Sequence, residues 1–143
     1  MDKQKDGFHT LRGYRQLESG GISYAMEDYL EMICRLEQQK EKVRIKDLAT
    51  LLNVGPSSAS KMAAKLRDNG FLEFERYGVI HLTAAGKRMG EYLLLRHAVL
   101  HRFFCRLNGS ENELELVEKI EHYMDARTIR NMQEYLDKYC AEG

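Results

Sequence analysis

The sequence predicts a mainly α-helical protein whose helices are interrupted once, near mid-chain, by a small β-hairpin. Three observations carry that prediction. Apolar residues recur at three- and four-residue spacing through most of the 143 residues. Strand-like alternation is confined to residues 71–82. The single proline, Pro56, stands at the start of one periodic segment, where its missing N–H is harmless. The balance of 43% hydrophobic and 31% charged residues is that of an ordinary globular chain. No apolar run approaches the ~18 residues needed to span a bilayer.

Residues 1–23 show no clear period and contain Gly7, Gly13, Gly20 and Gly21, so they read as an N-terminal extension. Their Phe8 and Tyr14 are candidates to pack on the body or on a partner subunit. Ser23 is placed to cap a helix from about Tyr24 to Gln39, on which Met26, Tyr29, Leu30, Ile33 and Leu36 share a face. Residues 40–43 read as a charged turn. Ile45, Leu48, Ala49, Leu51 and Leu52 give a short amphipathic helix, broken by Asn53-Val54-Gly55. A helix from about Ser57 to Asp68 follows, with Met62, Ala63 and Leu66 inward, and Asn69-Gly70 ends it. Phe71 to Tyr77 alternates, Gly78 turns, and Val79 to Leu82 returns. Thr83 caps a long helix from about Ala84 to Leu107. Further helices span about Glu111 to Tyr123 and Ala126 to Tyr139.

The order helix, short helix, tight Gly-containing turn, helix, hairpin is that of a winged helix-turn-helix. The second helix of the pair opens with Pro56-Ser57-Ser58-Ala59-Ser60-Lys61. Small hydroxyl side chains let a backbone come close to a major groove and can bond phosphates or base edges. Ser57, Ser58, Ser60, Lys61 and Lys65 are therefore the candidate DNA-contacting residues, with Arg76 and Tyr77 at the hairpin tip. The charge distribution is compatible with this, and equally with a solvated helical face. The chain is neutral overall, yet residues 43–90 carry eight basic and four acidic residues, while 91–143 carry seven and ten. The expected organisation is an extension at 1–23, a winged helix-turn-helix at 24–90 and a helical domain at 91–143.

A second constellation is acidic. Asp28 and Glu31 lie three apart on the first helix. Glu118, Glu121 and His122 fall on one side of a later helix by their spacing, and His97 on the long helix is available to them. Like charges at this spacing repel by a few tenths of a kcal/mol per pair on an isolated helix, a pattern that invites a cation. A solvated acidic face is the plain alternative. His101 is a weaker candidate for the same cluster, and His81 in the wing and His9 in the extension have no acidic company. The three cysteines, Cys34, Cys105 and Cys140, form no CxxC, which argues against a disulfide framework or a zinc-thiolate site. Cys34 reads as a buried free thiol.

These segments together resemble the diphtheria-toxin-repressor family of metal-dependent transcriptional repressors, in its short manganese-responsive form. The resemblance is carried by Met26-Glu27-Asp28-Tyr29-Leu30-Glu31, Pro56-Ser57-Ser58 through Lys61-Met62, Leu82-Thr83-Ala84-Ala85-Gly86, Arg96-His97, and Val117-Glu118-Lys119-Ile120-Glu121-His122. It covers about residues 24–139 without large gaps. It implies a homodimer that binds a palindromic double-stranded operator and represses manganese-uptake genes. It also implies two Mn²⁺ ions per subunit, held between the DNA-binding and dimerisation domains by Asp28, Glu31, His97, Glu118, Glu121 and His122. Iron-responsive relatives carry methionine where this chain has Asp28, and hard oxygen donors with imidazole suit Mn²⁺. The chain departs from the family in its 23-residue extension and in Tyr123, where close relatives often have a histidine.

The expected location is cytoplasmic, since the N-terminus shows no apolar leader segment, and no membrane partner is expected. Four other readings compete. A winged-helix repressor indifferent to metal keeps the DNA reader and treats the acidic cluster as solvated, and an iron-responsive relative keeps both with another ion. A di-metal enzyme requires a nucleophile or base beyond the ligands, and none is visible. A structural adaptor would bind neither metal nor DNA.

Overall fold

A computed structural model describes residues 22–39 and 42–140. Helix α1 (Tyr24–Gln39) opens at Ser23, whose hydroxyl accepts the Met26 N–H at 3.1 Å. Strand β1 (Val43–Arg44) leads directly into α2 (Ile45–Leu51), where the Asp47 carboxylate accepts the Arg44 N–H at 2.8 Å. Asn53 sits in the left-handed region (φ 56°), which reverses the chain into α3 (Pro56–Asp68). The helix-turn-helix is thus α2 and α3, and α3 buries Ala59, Ala63 and Leu66. After Gly70 (φ 85°), β2 (Leu72–Phe74) and β3 (Val79–Leu82) form the wing, joined by a 3₁₀ turn at Arg76–Gly78.

The sheet has three antiparallel strands in the order β1-β3-β2. Val43 pairs with Ile80, and Leu72 pairs with Leu82. Two sequence expectations change here. Val43, read as part of a charged turn, is a buried strand residue, and residues 40 and 41 lie outside the described residues. The first hairpin strand ends at Phe74, because Tyr77 (φ 62°) and Gly78 (φ 73°) both take left-handed backbone at the tip.

Helix α4 (Ala84–Asn108) is capped by Thr83, whose hydroxyl accepts the Gly86 N–H at 3.0 Å, and it stops at left-handed Gly109. Helix α5 (Leu114–Ile120) is shorter than the periodicity suggested. A 3₁₀ turn (Glu121–Tyr123) continues it, and α6 (Ala126–Tyr139) follows, capped by Asp125. Two apolar cores result. Leu30, Ile33, Leu48, Leu66, Ile80 and Leu93 lie in the first. Val99, Leu100, Val117, Ile129 and Leu136 form the buried part of the second. Helix α4 contributes to both, and α1 packs along its first half.

Candidate metal centre and nucleic-acid interface

The acidic and imidazole side chains converge where α1, α4 and the 3₁₀ turn after α5 meet. Asp28, Glu121 and His122 offer ligand atoms that all lie within 4.8 Å of one another, and so do Glu31, His97 and Glu121. Glu121 is common to both groups. It is completely buried, and its Oε2 has no hydrogen-bond partner in the structure. Its burial arises at the change from α5 into the 3₁₀ turn, which separates it from Glu118. Glu118 is 61% exposed and stands at the rim, 3.9 Å from His97 Nδ1. Spacing placed these residues on one side, but it did not foresee that one would be sealed in and the other left outside.

The electrostatics are those of crowded carboxylates. Burial, and then the charge of Glu121, push the Glu31 carboxyl above the usual range, although the Arg35 hydrogen bond opposes them. Burial, then the charges of Glu121 and Glu31, do the same to Glu118. The hydrogen bond to Glu121 raises the His97 imidazole against the effect of burial. Burial opposes the charge on His122, but hydrogen bonds to Asp28 and Glu27 push it up to about 9. The shifts of Glu31, Glu118, His97 and His122 all run toward the protonated form, the direction expected where carboxylates crowd together. Divalent ions would compete with protons for these groups.

The residues present fit a divalent ion. The donors are carboxylate oxygens and imidazole nitrogens, and a buried carboxylate oxygen has no protein partner. Cys34 is not in either group; its Cβ and Sγ lie against the position a Gly90 side chain would take. His101 is also elsewhere, with Nε2 accepting the Glu113 N–H at 3.2 Å.

Comparison with known proteins decides the family. Residues 22–80 match the model of the iron dependent repressor N-terminal DNA-binding domain. Residues 83–141 match that family's metal-binding and dimerisation domain. The chain is 39% identical over 106 residues to the HTH-type transcriptional regulator MntR of Oceanobacillus iheyensis, covering 73% of this chain and 72% of that one. It is 41% identical over 107 residues to MntR of Geobacillus thermodenitrificans, covering 73% and 75%.

The chain belongs to the iron-dependent repressor family.

The resemblance to the diphtheria-toxin repressors read from the sequence is borne out, and so is the fold class. Among solved structures of this family's fold is a manganese-dependent transcriptional repressor in complex with manganese, which is 26% identical with a TM-score of 0.65. The match covers 78% of this chain and 52% of that one, so the chain spans about half the length of that structure. As a family member the chain carries a DNA-binding and a metal-binding, dimerising half. No helix among the described residues is long and apolar enough to cross a membrane.

In the DNA-binding half, Ser57, Ser58, Ser60, Lys61 and Lys65 are all exposed on α3. Ala59, Ala63 and Leu66 anchor the opposite face of α3 in the core. Arg76 and Tyr77 project from the wing, with Tyr77 84% exposed. Lys42, Arg44, Arg76 and Tyr77 line one shallow depression, so β1 and the residue before it add Arg44 and Lys42 to the wing, a link that the sequence pattern does not show. The expectation that His81 has no acidic company is corrected by the structure. His81 contacts Glu75, from the turn, and pairs across the sheet with Glu73, a cross-strand relation that helical spacing does not reveal.

Proposed function

We propose that the protein is a manganese-responsive, DNA-binding transcriptional repressor, and the observation that carries this reading is the pair of carboxylate–imidazole groups sharing buried Glu121. Asp28, Glu121 and His122 would hold one ion, and Glu31, His97 and Glu121 a second, with Glu118 completing the set from the rim. All the donors are oxygen or imidazole nitrogen, which suits Mn²⁺. Bound divalent ions supply the positive charge that four clustered carboxylates lack.

The chain's own residues do the coupling. Asp28 and Glu31 belong to α1, which packs in the first core with the reader helix α3. His97 belongs to α4, and Glu121 and His122 to the turn beyond α5. Drawing these side chains together fixes α1 against α4 and so sets where α3 stands. In a homodimer the two α3 helices then sit at the spacing of successive major grooves, roughly 34 Å, on a palindromic operator. Metal favours this arrangement only through tighter binding to it. A similar solved structure named as a manganese-dependent transcriptional repressor supports manganese as the sensed ion; manganese-uptake genes are the proposed targets and the cytoplasm the proposed location. No enzymatic role is invoked. The working division is 24–90 for reading DNA and 91–143 for metal and dimerisation, with 1–23 as an extension.

Fluorescence anisotropy of a labelled palindromic DNA tests the reading. The titrations use Mn²⁺, anaerobic Fe²⁺ or chelator at one fixed salt concentration. Binding at least tenfold tighter with Mn²⁺ than with chelator is expected, and Asp28→Met weakens it or shifts the metal preference. Chelator-indifferent binding overturns the metal switch, and an equal or stronger response to Fe²⁺ overturns the manganese assignment.

A further inference from the structure

Behind His122 lies a layer of side chains that neither ligand group includes. The ring's Nδ1 is 2.7 Å from Glu27 Oε1, while its Nε2 is 3.0 Å from Asp28 Oδ1. The two ring nitrogens thus face carboxylates from adjacent residues of α1, which project about 100° apart around the helix. Arg96 approaches from α4. It is 1% exposed, and its Nη2 donates to the same Glu27 Oε1 at 3.2 Å. A guanidinium can only donate. Arg96 Nη2 also approaches His122 Nδ1 at 3.4 Å, where it would donate to an unprotonated Nδ1, whereas with a proton on Nδ1 both groups donate to the shared Glu27 Oε1. Tyr24 stacks on the imidazole at 5.0 Å with an interplanar angle of 13°, which holds the ring plane.

We infer that Glu27, itself held by the buried Arg96, is a positioning residue that fixes the His122 ring so that Nε2, and not Nδ1, is presented to the metal centre. This deepens the proposed function and rests on it. A ligating imidazole keeps a proton on its second nitrogen, and the group receiving that proton sets the ring's orientation and basicity. Glu27 is such a group: a buried carboxylate on the far side of the ring from Asp28 and Glu121. Its charge strengthens the hydrogen bond it accepts. Arg96 in turn holds the carboxylate in place from a helix other than its own. Tyr24 fixes the plane and Glu27 the rotation within it, so the ring has one orientation left. The layer also ties α1, α4 and the 3₁₀ turn together, which are the three segments that supply the ligands.

The test compares the parent with Glu27→Ala and Glu27→Gln. Free Mn²⁺ is followed by electron paramagnetic resonance during titration. The ring nitrogens are followed by long-range ¹H–¹⁵N correlation in ¹⁵N-histidine protein loaded with Cd²⁺. In the parent, His122 is expected to bind Cd²⁺ through Nε2 with a proton on Nδ1. Glu27→Ala should weaken one of two Mn²⁺ sites about 10–100-fold and leave the other near parental affinity. Glu27→Gln, whose amide oxygen accepts the same N–H, should recover part of that loss. Thermal melts of the metal-free variants separate this from general damage. Parental affinities in both variants overturn the inference, as does loss of both sites in proportion to the fall in melting temperature. Should Glu27→Ala fail to fold, the parent spectrum and Glu27→Gln still decide, since Cd²⁺ on Nδ1 overturns it directly. A parent that takes up no metal overturns this inference together with the proposed function. A metal-binding parent with indifferent variants overturns this inference alone.

Discussion

Glu121 combines complete burial with an oxygen that nothing in the protein satisfies. An unsatisfied buried polar atom costs about 1–3 kcal/mol, and more when charged. The metal-free protein carries that cost at the residue both ligand groups share. Glu121→Gln is thus expected to do two opposite things. Metal stoichiometry, measured by equilibrium dialysis with Mn²⁺, should fall from the proposed two per chain to below one. The melting temperature of the metal-free protein should stay level or rise. His97→Ala should remove one ion only, because the Asp28 group does not use it. Asp125 shows the ordinary case. Its side chain accepts the Thr128 N–H at 2.7 Å at the start of α6, and that bond holds its carboxyl below the usual range. Asp125→Ala should cost about 1 kcal/mol of stability, read by urea melts. Because the folded-state value is lowered, the capping contribution is present above the ordinary carboxyl range near pH 4. It is lost as the pH falls through the lower folded value.

Two glycines set how closely elements approach. A Cβ on Gly90 would lie 2.8 Å from Cys34 Cβ, where α1 crosses α4. Gly90→Ala should destabilise the fold by about 1–3 kcal/mol and weaken Mn²⁺ binding, since α1 carries Asp28 and Glu31. Cys34→Ala should fail to rescue it fully, because it removes the sulfur at 3.1 Å but leaves the closer Cβ at 2.8 Å; denaturant melts of single and double variants check this. At Gly86 the added atom would overlap the Phe71 carbonyl oxygen, backbone that has little room to move. The helices themselves were legible because their apolar periods and caps are local. Ser23, Thr83 and the Asn69-Gly70 stop all act within four residues of the ends they define. Strand β1 was not legible. It is two residues long, and its partners lie some three dozen positions away. Spacing grouped Asp28 with Glu31 and Glu118 with Glu121 and His122, and the resemblance joined these groups and His97 into one candidate set. The difference between Glu118 and Glu121 was not, because it depends on where α5 tightens into a 3₁₀ turn. Nor was the role of Glu27, which looks no different from Asp28 until Arg96 arrives from α4.

Across the whole molecule, the proposed DNA face and the metal centre are built from different elements. The face is α3 and the wing, and the centre is α1, α4 and the turn after α5. Lys61 and Lys65 should act on the proposed DNA face alone. Changing either to alanine is expected to weaken binding across DNA sequences and to lower the salt slope by about one for each phosphate left without its cation. Neither change should alter Mn²⁺ affinity, and salt titrations of DNA binding beside metal titrations of the free protein check both. Helix α4 has a different consequence. Its Leu93 belongs to the first core, and its Val99 and Leu100 to the second. Heating cannot then melt one half and spare the other, so calorimetry should show one transition, with equal calorimetric and van't Hoff enthalpies. The same continuity limits exchange between relatives. A chimaera joined at residue 90 would leave Leu93 behind and open a hole in the core it was meant to keep. A viable graft has to carry the first three turns of α4 along with the DNA reader.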